Sequence, residues 1–306
     1  MDVSIVVPFY NESDSVAIFF KKIIPILKKS KYKFEIVCVN DGSIDDTFEK
    51  LLTEKKRHAE IKIINFSRNF GKDSAITAGV DFSEGNCVIP IDCDLQDPPE
   101  LILDMLQKWK EGFDVVLARR IDRSNDTFLK RITANLFYDI YNRISDYQLP
   151  KNVGDFRLMD RKVIDVIKNF QERTRFMKGL FSFVGFKTTY VDYVRPIREK
   201  GTTKWSYWKL WNYAIDGITS FSTFPLKICS YIGLFVTLIA FIRSFWIIFK
   251  VVFCGIDVPG YASLMVAMLF IGGVQMIFLG VIGEYIGRIY IETKQRPIYI
   301  VKDIIR

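Results

Sequence analysis

Over the first part of the chain, short apolar runs rich in β-branched residues alternate with stretches of helical period. VSIVVPF (3–9) precedes a helical pattern over 13–29, FEIVCVN (34–40) one over 45–57, and IKIIN (61–65) one over 72–82. CVIPID (87–92) precedes another over 98–110, and DVVLA (114–118) follows. This order predicts an α/β domain with a parallel, doubly wound sheet and helices on both faces. In such sheets the ligand lies beyond the carboxyl ends of the strands. Polar clusters sit at those ends: YNE after the first run, NDGS after the second, DCDLQD after the fourth.

The pattern then changes. Residues 126–170 read as helices carrying many Arg, Lys and aromatic side chains. Residues 195–213, RPIREKGTTKWSYWKLWNY, mix basic residues with Trp and Tyr, as a membrane interface or a half-buried amphipathic helix would. Two apolar runs follow, 228–249 and 263–283, each long enough to cross roughly 30 Å of hydrocarbon. KVVFCGIDVPGYA between them carries Gly and Pro to turn the chain, so the pair predicts a helical hairpin. Lys204, Lys209 and Lys227 precede it; Arg288, Lys294, Arg296, Lys302 and Arg306 follow; Lys250 lies near the turn. The positive-inside rule then places both ends in the cytoplasm. Arg243, toward the outer end of the first span, is placed to snorkel outward. Gly280, Gly283 and Gly287 line one side of the second span, a face that lets another helix, such as one from a second copy of the chain, approach closely.

Composition sharpens this division. Of 306 residues, 49% are hydrophobic beside 25% charged, as expected for a water-facing domain joined to a membrane part. The net charge of +8 points to an anionic partner: nucleic acid, anionic lipid or a phosphorylated substrate. The basic and aromatic residues cluster beside the spans and no RNA-binding signature occurs, which argues against nucleic acid. Cys38, Cys87, Cys93, Cys229 and Cys254 show no CxxC spacing and read as reduced. His58 is the only histidine, which argues against a His-based zinc site or a Ser-His-Asp triad. MDVSIVVPFYNE has no basic n-region and reads as a strand, not a signal peptide.

The densest chemistry is CVIPIDCDLQDPPE (87–100). Carboxylates crowded at a strand end repel one another unless a cation or a set of donors faces them. Asp92 and Asp94 are two apart, so an extended chain points both to one side. Hard oxygen ligands with no histidine nearby suit Mg²⁺ or Mn²⁺, and Gln96 adds a neutral oxygen. The competing reading is a pair of solvated loop acids. In DPPE, Asp97 has the spacing of an N-cap, with Pro98 at the first helical position and Glu100 at the third. In NDGS, Asp41 is placed to accept hydrogen bonds from a base or ribose, although Asn40, Gly42 and Ser43 also suit a turn and cap. In YNE, Tyr10 offers packing and Glu12 a ribose contact. Neither GxGxxG after the first strand nor GxxxxGK[ST] is present, which disfavours dinucleotide and P-loop sites.

VPFYNE, VNDGSIDDT, RNFGKDSAITAG, DCDLQDPPE and GDFRLMDR, in that order through residues 3–161, resemble glycosyltransferase family 2. With the hairpin, the chain is similar to the polyprenyl-phosphate branch, which holds bacterial bactoprenol glucosyltransferases and, more distantly, dolichol-phosphate mannose synthases. The resemblance implies a GT-A (Rossmann-like) nucleotide-sugar domain over 1–165 and an interfacial region over 166–225. A transmembrane hairpin over 226–290 and a cytoplasmic tail over 291–306 complete the expected layout, in a bacterial inner membrane. It implies a nucleotide-sugar donor, a divalent metal and a polyprenyl phosphate acceptor. It places Pro8, Tyr10, Asn11, Glu12 and Asp41 around the uridine, with Lys72 and Asp92 also on the donor nucleotide, and Asp92, Asp94 and Gln96 at the metal and diphosphate. Asp155 matches the residue usually assigned as catalytic base. Arg120 and Arg131, with Asn135 beside them, match holders of the acceptor phosphate, and Lys204 lies in GTTKWSY, similar to the family's basic segment at the membrane. QERTRFMKGL (171–180) lacks the Trp of the QxxRW motif of polysaccharide synthases, which favours a single transfer over polymerisation.

An acceptor phosphate monoester has a second pKa of roughly 6, so it needs no strong base. Asp155 is therefore expected to position Arg157, Arg161 or the acceptor. The approach of two anions gives a use to Arg120, Arg131, Arg198 and Lys204, whose competing role is attraction to anionic headgroups worth about 1 kcal/mol each. The leading expectation is inverting, metal-dependent transfer of glucose from UDP-glucose to undecaprenyl phosphate. The alternatives are mannose, galactose or an aminosugar in the same reaction, or a non-catalytic membrane scaffold or translocation subunit with a nucleotide-sugar fold.

Overall fold

A computed structural model describes residues 1–121, 138–139, 141–145, 147–170, 172–173, 175, 177–194, 215, 217–254 and 260–306. Its elements begin with β1 (Val3–Phe9), α1 (Ser13–Ser30), β2 (Phe34–Asn40), α2 (Thr47–Arg57), β3 (Ile61–Phe66), α3 (Lys72–Asp81), β4 (Cys87–Pro90), α4 (Leu101–Lys110) and β5 (Val115–Arg120). After these come β6 (Val153–Asp160), α5 (Arg161–Lys168), α6 (Met177–Phe183), β7 (Thr188–Tyr193), α7 (Phe224–Cys254), α8 (Tyr261–Thr293) and β8 (Val301–Ile305). One 8-stranded sheet runs in the order β7-β5-β6-β4-β1-β2-β3-β8.

The expected α/β fold is present. β4, β1, β2 and β3 are parallel neighbours, so their carboxyl ends share one edge. Alternation along the buried strands feeds two cores. Val3, Ile5, Val7 and Phe9 meet Phe19, Phe20 and Ile23 of α1, Leu51 of α2 and Met105 of α4 on one face. Val6, Val37, Val39 and Ile64 meet Ile76 of α3, Val163 and Ile167 of α5 and Leu180 of α6 on the other. Each large side chain so buried contributes about 1.5–3 kcal/mol. Gly79 lets α3 approach β1 closely: a Cβ there would sit 2.1 Å from Val6 Cγ1. Gly79→Ala should therefore cost about 1–3 kcal/mol by overpacking, measured as a lower melting temperature; an unchanged temperature would mean that α3 can shift away freely.

The sheet is mixed, not wholly parallel. β6 runs antiparallel between β4 and β5, and β8 antiparallel beside β3. The helical reading of 126–170 fails at Val153–Asp160. Phe156 and Leu158 face one core and Val153 and Met159 the other, a period of two masked by the helical patterns around it. β7, paired parallel to β5, and β8, beside β3, come from the segments expected as the interfacial region and the tail. Residue 97 also departs from expectation. α4 begins at Leu101 with Glu100 as its cap, after a turn in which Leu101 and Ile102 donate to the carbonyls of Pro98 and Pro99. Asp97 instead accepts a 2.6 Å hydrogen bond from the Tyr193 hydroxyl of β7. The residue before a proline is pushed out of helical backbone, and two prolines in succession delay the helix.

α7 and α8 contain spans of mean hydropathy 2.2 and 2.3, Phe224–Phe249 and Ser263–Thr293, so the second apolar helix runs beyond residue 283. Their apolar side chains face outward all round, as helices do in hydrocarbon. A Cβ at Gly280, Gly283 or Gly287 would meet nothing within 4 Å. Polar bonds tie the base of α8 to the segment just before α7 and to Arg173, between α5 and α6. The Tyr285 hydroxyl donates to Ser222 O at 2.6 Å, Arg288 to Ser220 Oγ at 2.8 Å, and the Arg173 N–H to Glu292 Oε1 at 2.8 Å.

Candidate active site

Three strand-end loops interlock at the carboxyl edge. After β1, Asn11 adopts φ 51°; its N–H donates to Ser43 Oγ at 3.0 Å and its Oδ1 accepts from the Ile44 N–H at 2.9 Å. The Glu12 N–H donates to Thr47 Oγ1 at 2.9 Å, and the Glu12 carboxylate accepts from Ser15 Oγ. After β2, Gly42 has φ 63°, and a Cβ there would lie 2.3 Å from the carbonyl carbon of Arg68, so glycine is required where this loop presses on the one after β3. Asp41, buried, accepts from the Phe70 N–H at 2.7 Å, the Gly71 N–H at 3.0 Å and Asn69 Nδ2 at 2.9 Å. Burial pushes the Asp41 carboxyl up, opposed by those N–H groups and by Arg68. In the fold, then, Asp41 holds the loop that opens α3. Tyr10 is 41% exposed and Ile44 90% exposed on the rim.

The central observation is at Lys72. Its ammonium lies 2.8 Å from Asp92 and 2.9 Å from Asp155, joining α3, the loop after β4 and the start of β6. Topology explains the meeting. β6 runs antiparallel to β4 with Cys87 opposite Asp160 and Val88 opposite Met159; continuing that register sets residue 92 opposite 155. Lys72 opens a helix, where the macrodipole disfavours a cation. Burial works against its charge too, yet Asp155 and Asp92 outweigh both and hold the ammonium well above the usual lysine range. Residue spacing alone does not reveal this bridge. From the sequence, Asp155 is expected to position Arg157, Arg161 or the acceptor. Arg161 lies at the far end of β6, donating to the Gly85 carbonyl, and the buried Arg157 guanidinium donates to Gly154 O and covers the Phe181 ring.

β4 ends at Pro90. The two acids therefore sit in a turn, closed by the Leu95 N–H on Asp92 O at 3.4 Å, and not on extended chain. Leu95 takes φ 53°, a left-handed conformation that sharpens the turn, and Asp94 Oδ1 accepts from the Gln96 N–H at 3.2 Å. Asp94 is exposed; Asp92 and Gln96 are half-buried. Among the described residues no group of three or more His, Cys, Asp or Glu is arranged to hold a metal ion. Arg120 ends β5, and Arg119 opposite Val153 puts it at the same edge as Asp155. Arg131, Asn135, Arg198 and Lys204 lie outside the described residues.

Residues 4–168 match the glycosyl transferase family 2 model. The chain belongs to glycosyltransferase family 2. Residues 224–289 of this glycosyltransferase also match the model of the GtrB C-terminal hairpin. The chain is 52% identical over 304 residues to an uncharacterized glycosyltransferase of Synechocystis sp., covering 99% of this chain and 96% of the relative. It is 51% identical over 302 residues to the prophage bactoprenol glucosyl transferase homolog of Escherichia coli K12, covering 99% of each. It is 50% identical over 303 residues to the bactoprenol glucosyl transferase of Shigella phage SfV, again covering 99% of each. The glycosyltransferase thus sits in the bactoprenol branch of its family and associates with membrane through its hairpin.

Proposed function

We propose that the protein transfers glucose from UDP-glucose to undecaprenyl phosphate on the cytoplasmic face of a bacterial inner membrane, inverting the anomeric centre. The Asp92–Lys72–Asp155 bridge at the strand ends carries this reading, since it concentrates charge where the fold presents ligands. The relatives' names supply the acceptor class and the sugar.

Pro8, Tyr10, Asn11, Glu12 and Asp41 surround the uridine, Asp41 by holding the loop before α3 as well. Lys72 faces the diphosphate from the N-terminus of α3, where backbone N–H groups also favour anions. Asp92, Asp94 and Gln96 suit Mg²⁺ or Mn²⁺: the donors are hard oxygens, and such ions bind through one or two carboxylates with substrate phosphates completing the shell. When bound, that ion neutralises charge on the departing diphosphate. Asp155, paired with Lys72, acts by fixing that ammonium. An acceptor phosphate oxygen attacks C1 of the sugar as the bond to the β-phosphate oxygen breaks, giving glucosyl-phosphoundecaprenol and UDP. Arg120, with Arg131, Asn135, Arg198 and Lys204, receives the acceptor phosphate. Both chain ends lie on the cytoplasmic side, supported by β8 returning to the sheet just after α8 and by the bond of Glu292 to Arg173.

The test is an assay of labelled UDP-glucose, GDP-mannose and UDP-galactose with membranes holding undecaprenyl phosphate. Label should enter lipid from UDP-glucose and be abolished by EDTA. Label from another donor alone would overturn the sugar, and label from none would favour a scaffold.

A further inference from the structure

The last residues of the chain lie beside the candidate donor site. α8 closes with Gln295 at φ 48° and Pro297 beyond it, a helix stop, and the connection 294–300 leads straight into β8. β8 lies against β3 with Asn65 opposite Asp303 and Phe66 opposite Val301. The Ser67 N–H donates to Ile300 O at 3.1 Å. Tyr299 stacks on Phe66, centroids 5.2 Å apart and planes 9° from parallel, and its hydroxyl donates to Asp81 at 2.8 Å. Asp303 Oδ2 accepts from Asn65 Nδ2 at 3.1 Å, and Asn65 Oδ1 accepts from Asn40 Nδ2 at 2.8 Å. Phe66 in turn meets Phe70 edge-on at 5.7 Å.

These contacts bracket one segment. Phe66 and Ser67 open the loop that Asp41 holds at Phe70 and Gly71; Asp81 is the last residue of α3, and Lys72 its first. We propose that Tyr299 and Asp303 are positioning residues for the donor site: together they fix loop 67–71 and α3 where Lys72 reaches Asp92 and Asp155. An edge strand needed only to cover β3 would require main-chain bonds alone. This one adds a side-chain relay to Asn40, next to Asp41, and a clamp on the far end of α3. The end of the second apolar helix and the nucleotide site are thereby joined through a short covalent link. The inference rests on the nucleotide-sugar reading above only for its ligand.

The test uses the full chain in detergent or lipid nanodiscs, comparing Asp303→Ala, Asp303→Asn and Tyr299→Ala with the parent. Hydrogen exchange at residues 67–72 needs no ligand. Exchange at Phe70 and Gly71 should speed up roughly three- to tenfold in both alanine variants, the range expected for losing one net hydrogen bond. UDP affinity, by calorimetry, should weaken by about the same factor, with KM for undecaprenyl phosphate unchanged. Asp303→Asn, whose Oδ1 accepts the same bond, should restore parental behaviour. Unchanged exchange in both alanine variants would overturn the proposal. So would faster exchange without weaker UDP binding, or UDP and lipid parameters worsening together in step with a lower melting temperature. A parent that does not bind UDP would instead overturn the donor reading, and the exchange data would still judge the coupling.

Discussion

Asp94→Asn should cut sugar transfer about 10²–10³-fold while leaving the melting temperature unchanged. The first half follows from the work assigned to this carboxylate. A divalent ion on a leaving diphosphate supplies several kcal/mol to the transition state, and each ~1.4 kcal/mol is tenfold in rate. Asparagine keeps an oxygen but loses the charge that makes the site attract a hard cation. The second half follows from exposure: Asp94 is open to solvent in the turn after β4, and the bond from the Gln96 N–H to its Oδ1 can be made by asparagine. Mn²⁺ titration of the parent and the variant, with UDP present, gives a readout independent of turnover. The variant should need much higher metal to saturate. Full activity with parental metal dependence would return Asp94 to the class of solvated loop acids.

Much of this arrangement was legible in the sequence, for a physical reason. Buried parallel strands are unbroken apolar runs, and α1, α2 and α4 have apolar stripes bounded by turn residues, so patterning located β1 to β5 closely. The apolar spans are likewise a property of composition alone. What escaped notice was non-local. β6 carries Arg157 and Asp155 among its apolar residues, and inserts between strands that are consecutive in sequence. β8 is short and solvent-facing along much of its length, and its pairing with β3 is set by where α8 ends, not by any periodicity. The site divides in the same way. Asp92, Asp94 and Asp155 stood out as acids in motifs, whereas their bridge through Lys72 depends on register across β4 and β6 and on the start of α3. Asp41 stood out too, but its bonds to Phe70 and Gly71 needed the loop beyond β3 to fold back over Gly42.

Lys72→Met should abolish transfer and destabilise the protein, and a second substitution should separate the two losses. Removing the ammonium takes away the cation that bridges Asp92 and Asp155. Breaking a buried pair from one side costs about 3–5 kcal/mol; here Lys72 is 38% exposed and Asp92 34% exposed, so screening reduces the cost to about 1–2 kcal/mol. For a chain of this size that lowers the melting temperature by a few degrees, at about 2–4 °C per kcal/mol. Adding Asp155→Asn removes one of the opposed charges, so Lys72→Met/Asp155→Asn should regain most of the lost stability, a coupling read from the double-mutant cycle. Transfer should stay down by about 10² or more in both, because the charge proposed to face the diphosphate is still absent. Lys72→Arg should recover stability better than rate, since a planar fork cannot place one point charge between two carboxylates. The sign with pH is fixed by the raised Lys72 pKa. A cation whose pKa is higher folded than unfolded contributes its full stability below the unfolded value, about 10.4, and loses it only as pH rises through the folded one. The gap between parent and Lys72→Met should thus be flat from about pH 6 to 9 as far as lysine ionisation is concerned, and close only in stronger alkali. A double variant that regains activity along with stability would show that Lys72 only balances charge in the fold and takes no part in holding the donor.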